Sequence, residues 1–155
     1  MSKLLMCFGL IMLLLSTPSM SQAGVELEDL NGHKISLKSL HGKWVFINYW
    51  ASWCGPCLDE IRAFNHFYKT MPADKIALFA VNFDDAPVIQ QRRLAQEYAI
   101  QYPSLNPRSL QSLHLEDISV VPVTYVFDPD GHLSTTLYGG QTEANLQSVF
   151  NDDTY

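Results

Sequence analysis

Two cysteines separated by two residues, Cys54 and Cys57, are the side chains of this sequence best suited to chemistry. They lie within NYWASWCGPCLDE, the stretch that runs from Asn48 to Glu60. A pair with this spacing can bind a metal ion, staple the fold as a disulfide, or exchange disulfides with other thiols. The rest of the chain has to distinguish among these three uses.

Metal binding is the least favoured of the three. A structural zinc ion needs four ligands, usually from two such pairs or from one pair and nearby histidines. The sequence has no second pair, and its histidines are scattered without ligand spacing: His33, His41, His66, His114 and His132. We therefore predict no metal site and no cofactor.

The first 23 residues have the layout of a secretory signal peptide. Lys3 precedes a twelve-residue apolar run from Leu4 to Leu15, and small residues stand before Gly24. An uncleaved membrane anchor is the alternative, although a membrane span needs about 20 apolar residues. We predict residues 1–23 as a cleaved signal, residues 24–155 as the mature domain, and the periplasm as its location.

Cleavage would remove Cys7 and leave Cys54 and Cys57 as the only cysteines. A disulfide across so short a loop constrains little in the unfolded chain, so the pair is a poor staple. The whole chain of 155 residues carries 10 basic and 16 acidic side chains, a net charge of −6. Loss of Lys3 would make this −7, which favours neither nucleic acid nor anionic lipid as a partner.

Hydrophobic periodicity predicts one α/β domain with the order β-hairpin, β, α, β, α, β, β, α. Asn31-Gly32 is expected to form the hairpin turn, and Asp84 or Asp85 to cap the second long helix. The segment from 102 to 117 should hold a short strand and a short helix. The expected ranges of the other elements are strands at 25–30, 34–37, 44–50, 75–83, 123–128 and 132–138 and helices at 54–70, 87–98 and 142–150.

This order places the cysteine pair where redox chemistry requires it. Cys54 follows a buried strand and opens a helix, where unpaired N–H groups and the helix dipole favour a thiolate. Cys57, one turn later, is expected to attack the mixed disulfide and release the partner. Gly55-Pro56 keeps the turn tight. Trp53 offers a flat apolar surface to a partner chain, with ordinary packing as the alternative.

The motif WCGPC, residues 53–57, resembles the active site of the thioredoxin superfamily. The stretch from Leu27 to Cys57 is similar to the TlpA-like group of exported thiol reductants, which includes the ResA and CcmG types. The resemblance extends to Phe150. It implies a thioredoxin fold with an N-terminal β-hairpin extension. It also implies a monomer that performs thiol–disulfide exchange with exported proteins. It also implies a membrane thiol donor or acceptor that restores the pair.

Three further positions carry this resemblance. Val121-Pro122 resembles the cis-proline landmark of the superfamily, which implies that Val121 pairs with an incoming peptide while Pro122 shapes the groove. A trans proline at the first residue of a strand is the alternative. Asn48 and Glu60 stand where the TlpA-like group often has asparagine and commonly places a glutamate near the thiols.

Glu60 also makes physical sense from its spacing. Residues three apart on a helix are neighbours, so Cys54, Cys57 and Glu60 share one face. A carboxylate there can accept a proton from Cys57 as the thiol becomes the attacking group. A solvated helix glutamate is the alternative, and Asp59 lies off that face.

The resemblance favours reduction of partner disulfides, including those of cytochrome c maturation or metal-site assembly. Two residues argue against a narrower assignment, either to the CcmG type or to one direction of the reaction. The CcmG type usually carries glutamate after the cis-proline, where this chain has Val123, and some oxidising members share a valine at position 121. The alternatives are a disulfide oxidase or isomerase, and a chaperone that binds copper or haem apoproteins without turnover.

Overall fold

The structure, a computed structural model, describes residues 24–113, residue 115 and residues 118–151, with side chains up to residue 149. The predicted signal peptide, together with Cys7, lies outside the described residues, as do His114 and residues 152–155. The boundaries of the mature domain therefore stay a prediction.

Seven strands and three α-helices form the described part of the chain, joined by two 3-10 helices at Leu37–Leu40 and Pro107–Leu113. The strands are β1 (Glu26–Glu28), β2 (Lys34–Ser36), β3 (Trp44–Trp50), β4 (Ile76–Asn82), β5 (Ser104–Leu105), β6 (Val123–Phe127) and β7 (Leu133–Tyr138). The helices are α1 (Gly55–Thr70), α2 (Val88–Glu97) and α3 (Glu143–Asn151). The predicted element order is confirmed.

A mixed five-stranded sheet in the order β5-β4-β3-β6-β7 forms the centre of the domain. Strands β3, β4 and β5 run parallel, whereas β6 and β7 are antiparallel to their neighbours. Strands β1 and β2 pair separately as an antiparallel hairpin, whose turn contains Gly32 at a φ of +87°. This is the predicted thioredoxin fold with its N-terminal hairpin extension.

Strand β3 is buried along its whole length, as its nearly continuous apolar run predicts. Because side chains alternate across a strand, Phe46 and Trp50 face the layer that contains α1, and Val45 and Ile47 face the hairpin layer. Asn48 shares the α1 side with Phe46. A polar side chain therefore lies in the core directly beneath that helix.

One edge of the sheet gathers the segments that follow or precede several strands. The parallel pair β3 and β4 ends there, with Trp50 opposite Asn82. The antiparallel strand β6 begins there, with Val123 opposite Tyr49, and β7 ends beside it at Tyr138. The segments at this edge are the start of α1 with the cysteine pair, the loop with the Val121-Pro122 bond and the two glycines after β7.

The expected cap of the second long helix is wrong. The residue before α2 is Pro87, and no side chain in the described part of the chain caps the helix. The carboxylate of Asp84 instead accepts hydrogen bonds from Ser52 in the loop between β3 and α1. Asp84 therefore bonds to Ser52, a residue distant in sequence, and not to the N-terminus of α2 as its position before that helix predicted.

Candidate active site

Cys54 is the N-cap residue of α1, and Pro56 lies in the first turn. Cys54 and Cys57 form a disulfide, and their Cα atoms lie 5.3 Å apart. The backbone N–H of Cys57 donates to Cys54 Sγ at 3.2 Å. Cys54 is 5% exposed and Cys57 is 0% exposed, so both residues are buried and Cys57 is the more deeply covered of the two.

The residues around the pair are unequally exposed. Trp53 is 68% exposed, which excludes core packing as the explanation for this tryptophan. Gly55 and Pro56 are exposed beside it. An apolar surface therefore lies next to a sulfur that is itself almost covered.

The Val121-Pro122 peptide bond is cis, as the resemblance implied. Pro122 is buried, and Val121 is half-buried against the core cluster that contains both cysteines. Because β6 pairs with β3 from Val123 onward, this bond lies at the sheet edge that carries α1's first turn. The structure thus brings the WCGPC motif and the cis-proline to the same edge of the sheet.

The loop after β7 also reaches the cysteine pair, which the sequence did not predict. Gly139 has a φ of +80° and donates its N–H to the carbonyl of Pro122 at 2.9 Å. A Cβ atom placed on Gly140 would lie 3.6 Å from the carbonyl oxygen of Pro56. The double glycine gives this backbone a close approach to the first turn of α1.

Glu60 is buried, at 3% exposed, so the alternative interpretation of this residue as a solvated helix glutamate is wrong. Its Oε1 accepts from Asn48 Nδ2 at 2.8 Å, and its Oε2 accepts from the backbone N–H of Gln141 at 2.8 Å. Asn48 Nδ2 also donates to Thr124 Oγ1 at 3.1 Å. The carboxyl group therefore belongs to a buried polar cluster formed by β3, β6, α1 and the loop after β7.

Burial raises the pKa of Glu60 to about 7, and the hydrogen bonds from Gln141 and Asn48 oppose this rise. A carboxyl group with that pKa can hold or release a proton near neutral pH. It lies one helical turn beyond Cys57 on α1, on the same face of the helix. Burial, and to a lesser extent the nearby Glu60, raises the pKa of Tyr102 as well.

Asp59 is exposed, in agreement with its predicted position off the cysteine face. Among the residues that the structure describes, no three or more His, Cys, Asp or Glu side chains are grouped in a way that could hold a metal ion. Within the same ranges, none of the helices has both the length and the apolar character needed to cross a bilayer.

Residues 21–136 match the AhpC/TSA family. The thiol-disulfide oxidoreductase ResA of Bacillus subtilis strain 168 is 31% identical over 125 residues, which are 81% of this chain and 69% of that protein. ResA of Geobacillus kaustophilus is 28% identical over 121 residues, 78% of this chain and 69% of that protein.

Solved structures share the architecture. A DsbF homologue from Corynebacterium diphtheriae has a TM-score of 0.68 and 25% identity, with 84% of this chain and 86% of that chain covered. StoA from Bacillus subtilis has a TM-score of 0.64 and 22% identity, with 79% and 92% covered. At such low identity the likeness to StoA establishes the fold alone.

Proposed function

The chain belongs to the AhpC/TSA family and is a thiol-disulfide oxidoreductase similar to ResA, and from that premise we propose that Cys54 and Cys57 reduce disulfides of exported proteins. The observation that carries this proposal is the contact between the Cys57 N–H and Cys54 Sγ at the start of α1. A buried carboxyl group, Glu60, follows one turn later.

The first step of the proposed reaction uses the reduced pair. The Cys54 thiolate attacks one sulfur of a partner disulfide, forms a Cys54–partner disulfide and expels the other partner sulfur as a thiolate. The Cys57 N–H and the positive end of α1 favour the ionised form of Cys54 that this step needs.

The second step releases the partner. Cys57 transfers its proton to Glu60, and its thiolate attacks Cys54 Sγ, which breaks the mixed disulfide. The second partner sulfur leaves as a thiolate, the Cys54–Cys57 disulfide forms, and the partner has gained two electrons. The raised pKa of Glu60, about 7, suits a group that accepts this proton near neutral pH.

A partner chain would rest on the sheet edge around the pair. Several apolar side chains at that edge are exposed: Trp53 at 68%, Phe83 at 39%, Val120 at 53% and Tyr138 at 63%. In this proposal the backbone of Val121 pairs with the partner, and Pro122 shapes the groove. Gly55 and Pro56 keep the first turn of α1 open to the incoming disulfide.

The signal-like residues 1–23 support export to the periplasm, where a membrane thiol protein would return two electrons to the disulfide by the same exchange. The protein would act as a monomer. Its partners would be exported proteins with disulfides or dithiols, with neither nucleic acid nor a bound cofactor involved.

Trapping tests the exchange mechanism. A reduced Cys57→Ala variant can form the mixed disulfide but cannot resolve it, so partners should accumulate covalently on Cys54 and appear on non-reducing gels. A Cys54→Ala variant is the matched control and should trap none. Absence of adducts in Cys57→Ala, or equal adducts in both variants, would contradict the proposed roles.

A further inference from the structure

Asp84 lies two residues after β4, and its carboxylate reaches the loop that precedes the cysteine pair. Oδ2 accepts the backbone N–H of Ser52 at 2.9 Å, and Oδ1 accepts the Ser52 hydroxyl at 2.7 Å. The side chain of Asn82, itself 3% exposed, donates to Oδ2 at 2.7 Å. Three donors thus fix both oxygens of this carboxylate.

The anchored loop determines where the nucleophile sits. The N–H of Cys54 donates to the carbonyl of Ala51 at 3.2 Å, which closes a turn with Ser52 and Trp53 at its centre. The N–H of Phe83 donates to the carbonyl of Trp50 at 2.8 Å and ties the same two segments together. A displacement of Ser52 would therefore move Trp53 and Cys54 relative to the first turn of α1.

The charge of Asp84 is not neutralised by these contacts, because Ser52 and Asn82 are uncharged donors. In residues 24–113, 115 and 118–149, the ion pairs do not include Asp84. Partial burial acts to raise the pKa of Asp84, but the hydrogen bonds from Ser52 and Asn82 outweigh it and bring this pKa below its ordinary value. The group is therefore ionised at neutral pH.

We propose that Asp84 is a positioning residue for the redox pair, holding the loop before Cys54 while its negative charge makes the disulfide harder to reduce. A nearby negative charge opposes formation of the Cys54 thiolate and so destabilises the reduced form. The inference rests on the proposed thiol–disulfide exchange and adds a determinant of its direction. Other charged groups near this end of the domain are Asp85 in the same loop and Asp59, Glu60 and Arg62 on α1.

The test compares the equilibrium of the pair with reduced and oxidised glutathione in three variants and the wild-type chain. Asp84→Asn keeps hydrogen-bonding capacity but removes the charge, and should favour the reduced form about five- to tenfold more than wild type. It should also lower the pKa of the Cys54 thiol, followed by thiolate absorbance. Asp84→Glu restores the charge and should return the equilibrium to within about twofold of wild type.

Asp85→Asn is the matched control, because it removes the same charge from an exposed neighbour. It should leave the equilibrium within about twofold of wild type. An unchanged equilibrium in Asp84→Asn, an equal shift in Asp85→Asn, or an equal shift in Asp84→Glu would overturn the inference. If the wild-type pair fails to equilibrate with glutathione, the proposed exchange fails with it, and that outcome is visible before any variant is compared.

Discussion

The side chain of Asn48, on the central strand, donates a 2.8 Å hydrogen bond to the carboxyl group of Glu60, one turn beyond Cys57 on α1. Both side chains are buried, at 1% and 3% exposed. This bond holds Glu60, whose pKa burial raises to about 7, in place on the helix that begins at the cysteine pair. The reaction of that pair releases and consumes protons. The hydrogen bond from Asn48 to Glu60 connects the central sheet to α1, the helix that begins at the cysteine pair.

The raised pKa of Glu60 predicts a pH dependence of stability. As pH rises, the unfolded chain loses this proton at about its ordinary pKa of 4.5, whereas the folded oxidised protein retains it until about 7. The folded state therefore binds more protons in that window, and stability falls as pH rises, by up to about 3 kcal/mol. Urea unfolding of the oxidised wild type and Glu60→Gln across this range measures the difference.

In Glu60→Gln the fall between those pH values should be smaller by that amount, since the titrating group is gone. Asp59→Asn is the control on the same helix, because its carboxylate is exposed and its removal should leave the profile of the wild type intact. Identical profiles for the wild type and Glu60→Gln would show that burial does not raise this pKa.

The proposed role of Glu60 as a proton acceptor predicts a kinetic effect that is distinct from its effect on stability. Glu60→Gln should slow release of a partner from its mixed disulfide with Cys54 about tenfold or more, because Cys57 loses its base. Formation of that mixed disulfide should change little. Single-turnover stopped-flow with a disulfide peptide separates the two steps, and a slowed first step with a normal second step would contradict the assignment.

The two hydrogen bonds of Asn48 predict a core defect on truncation. Asn48→Ala removes the donor to both Glu60 and Thr124 and leaves two buried acceptors less well satisfied. We expect a loss of about 2–3 kcal/mol in the free energy of unfolding and a further rise in the pKa of Glu60. Asn145→Ala, at an exposed position on α3, should cost less than about 0.5 kcal/mol.

Trp53 is predicted to act in partner binding and hardly in stability. Trp53→Ala should lower kcat/KM for a protein disulfide about three- to tenfold, while unfolding and the glutathione equilibrium stay near wild type. Leu133→Ala is the control, because Leu133 is 48% exposed and lies at the opposite end of β7. Equal losses of kcat/KM in both variants would indicate that Trp53 has no specific role.

The sequence predicts the elements well where one local pattern determines them. Strand β3 has the expected limits, because a nearly continuous apolar run of seven residues is typical of a buried strand. The apolar spacing after Cys54 and the proline in the first turn predict helix α1. The WCGPC motif and the Val121-Pro122 bond are likewise local features, so each position of the family's pattern could be matched to one residue of this chain.

The surroundings of Glu60 could not be predicted in the same way. Gln141 supplies a backbone N–H from 81 residues away, and a backbone donor leaves no signature in the sequence. Asp84 shows the opposite problem, because its spacing before α2 resembles a cap while its actual partner, Ser52, lies 32 residues earlier. Local rules describe which contacts a polar side chain can make, whereas the sheet topology determines which one it makes.

The reduction potential of the Cys54–Cys57 pair distinguishes a disulfide reductase from a disulfide oxidase at this site. Equilibration of the wild-type protein with glutathione at neutral pH, followed by mass spectrometry of the alkylated forms, gives this value. For a reductase we expect a potential near the reducing end of the superfamily, between about −270 and −200 mV. A value close to about −120 mV, typical of a strong oxidant, would contradict a reductase and would assign the same site to disulfide formation.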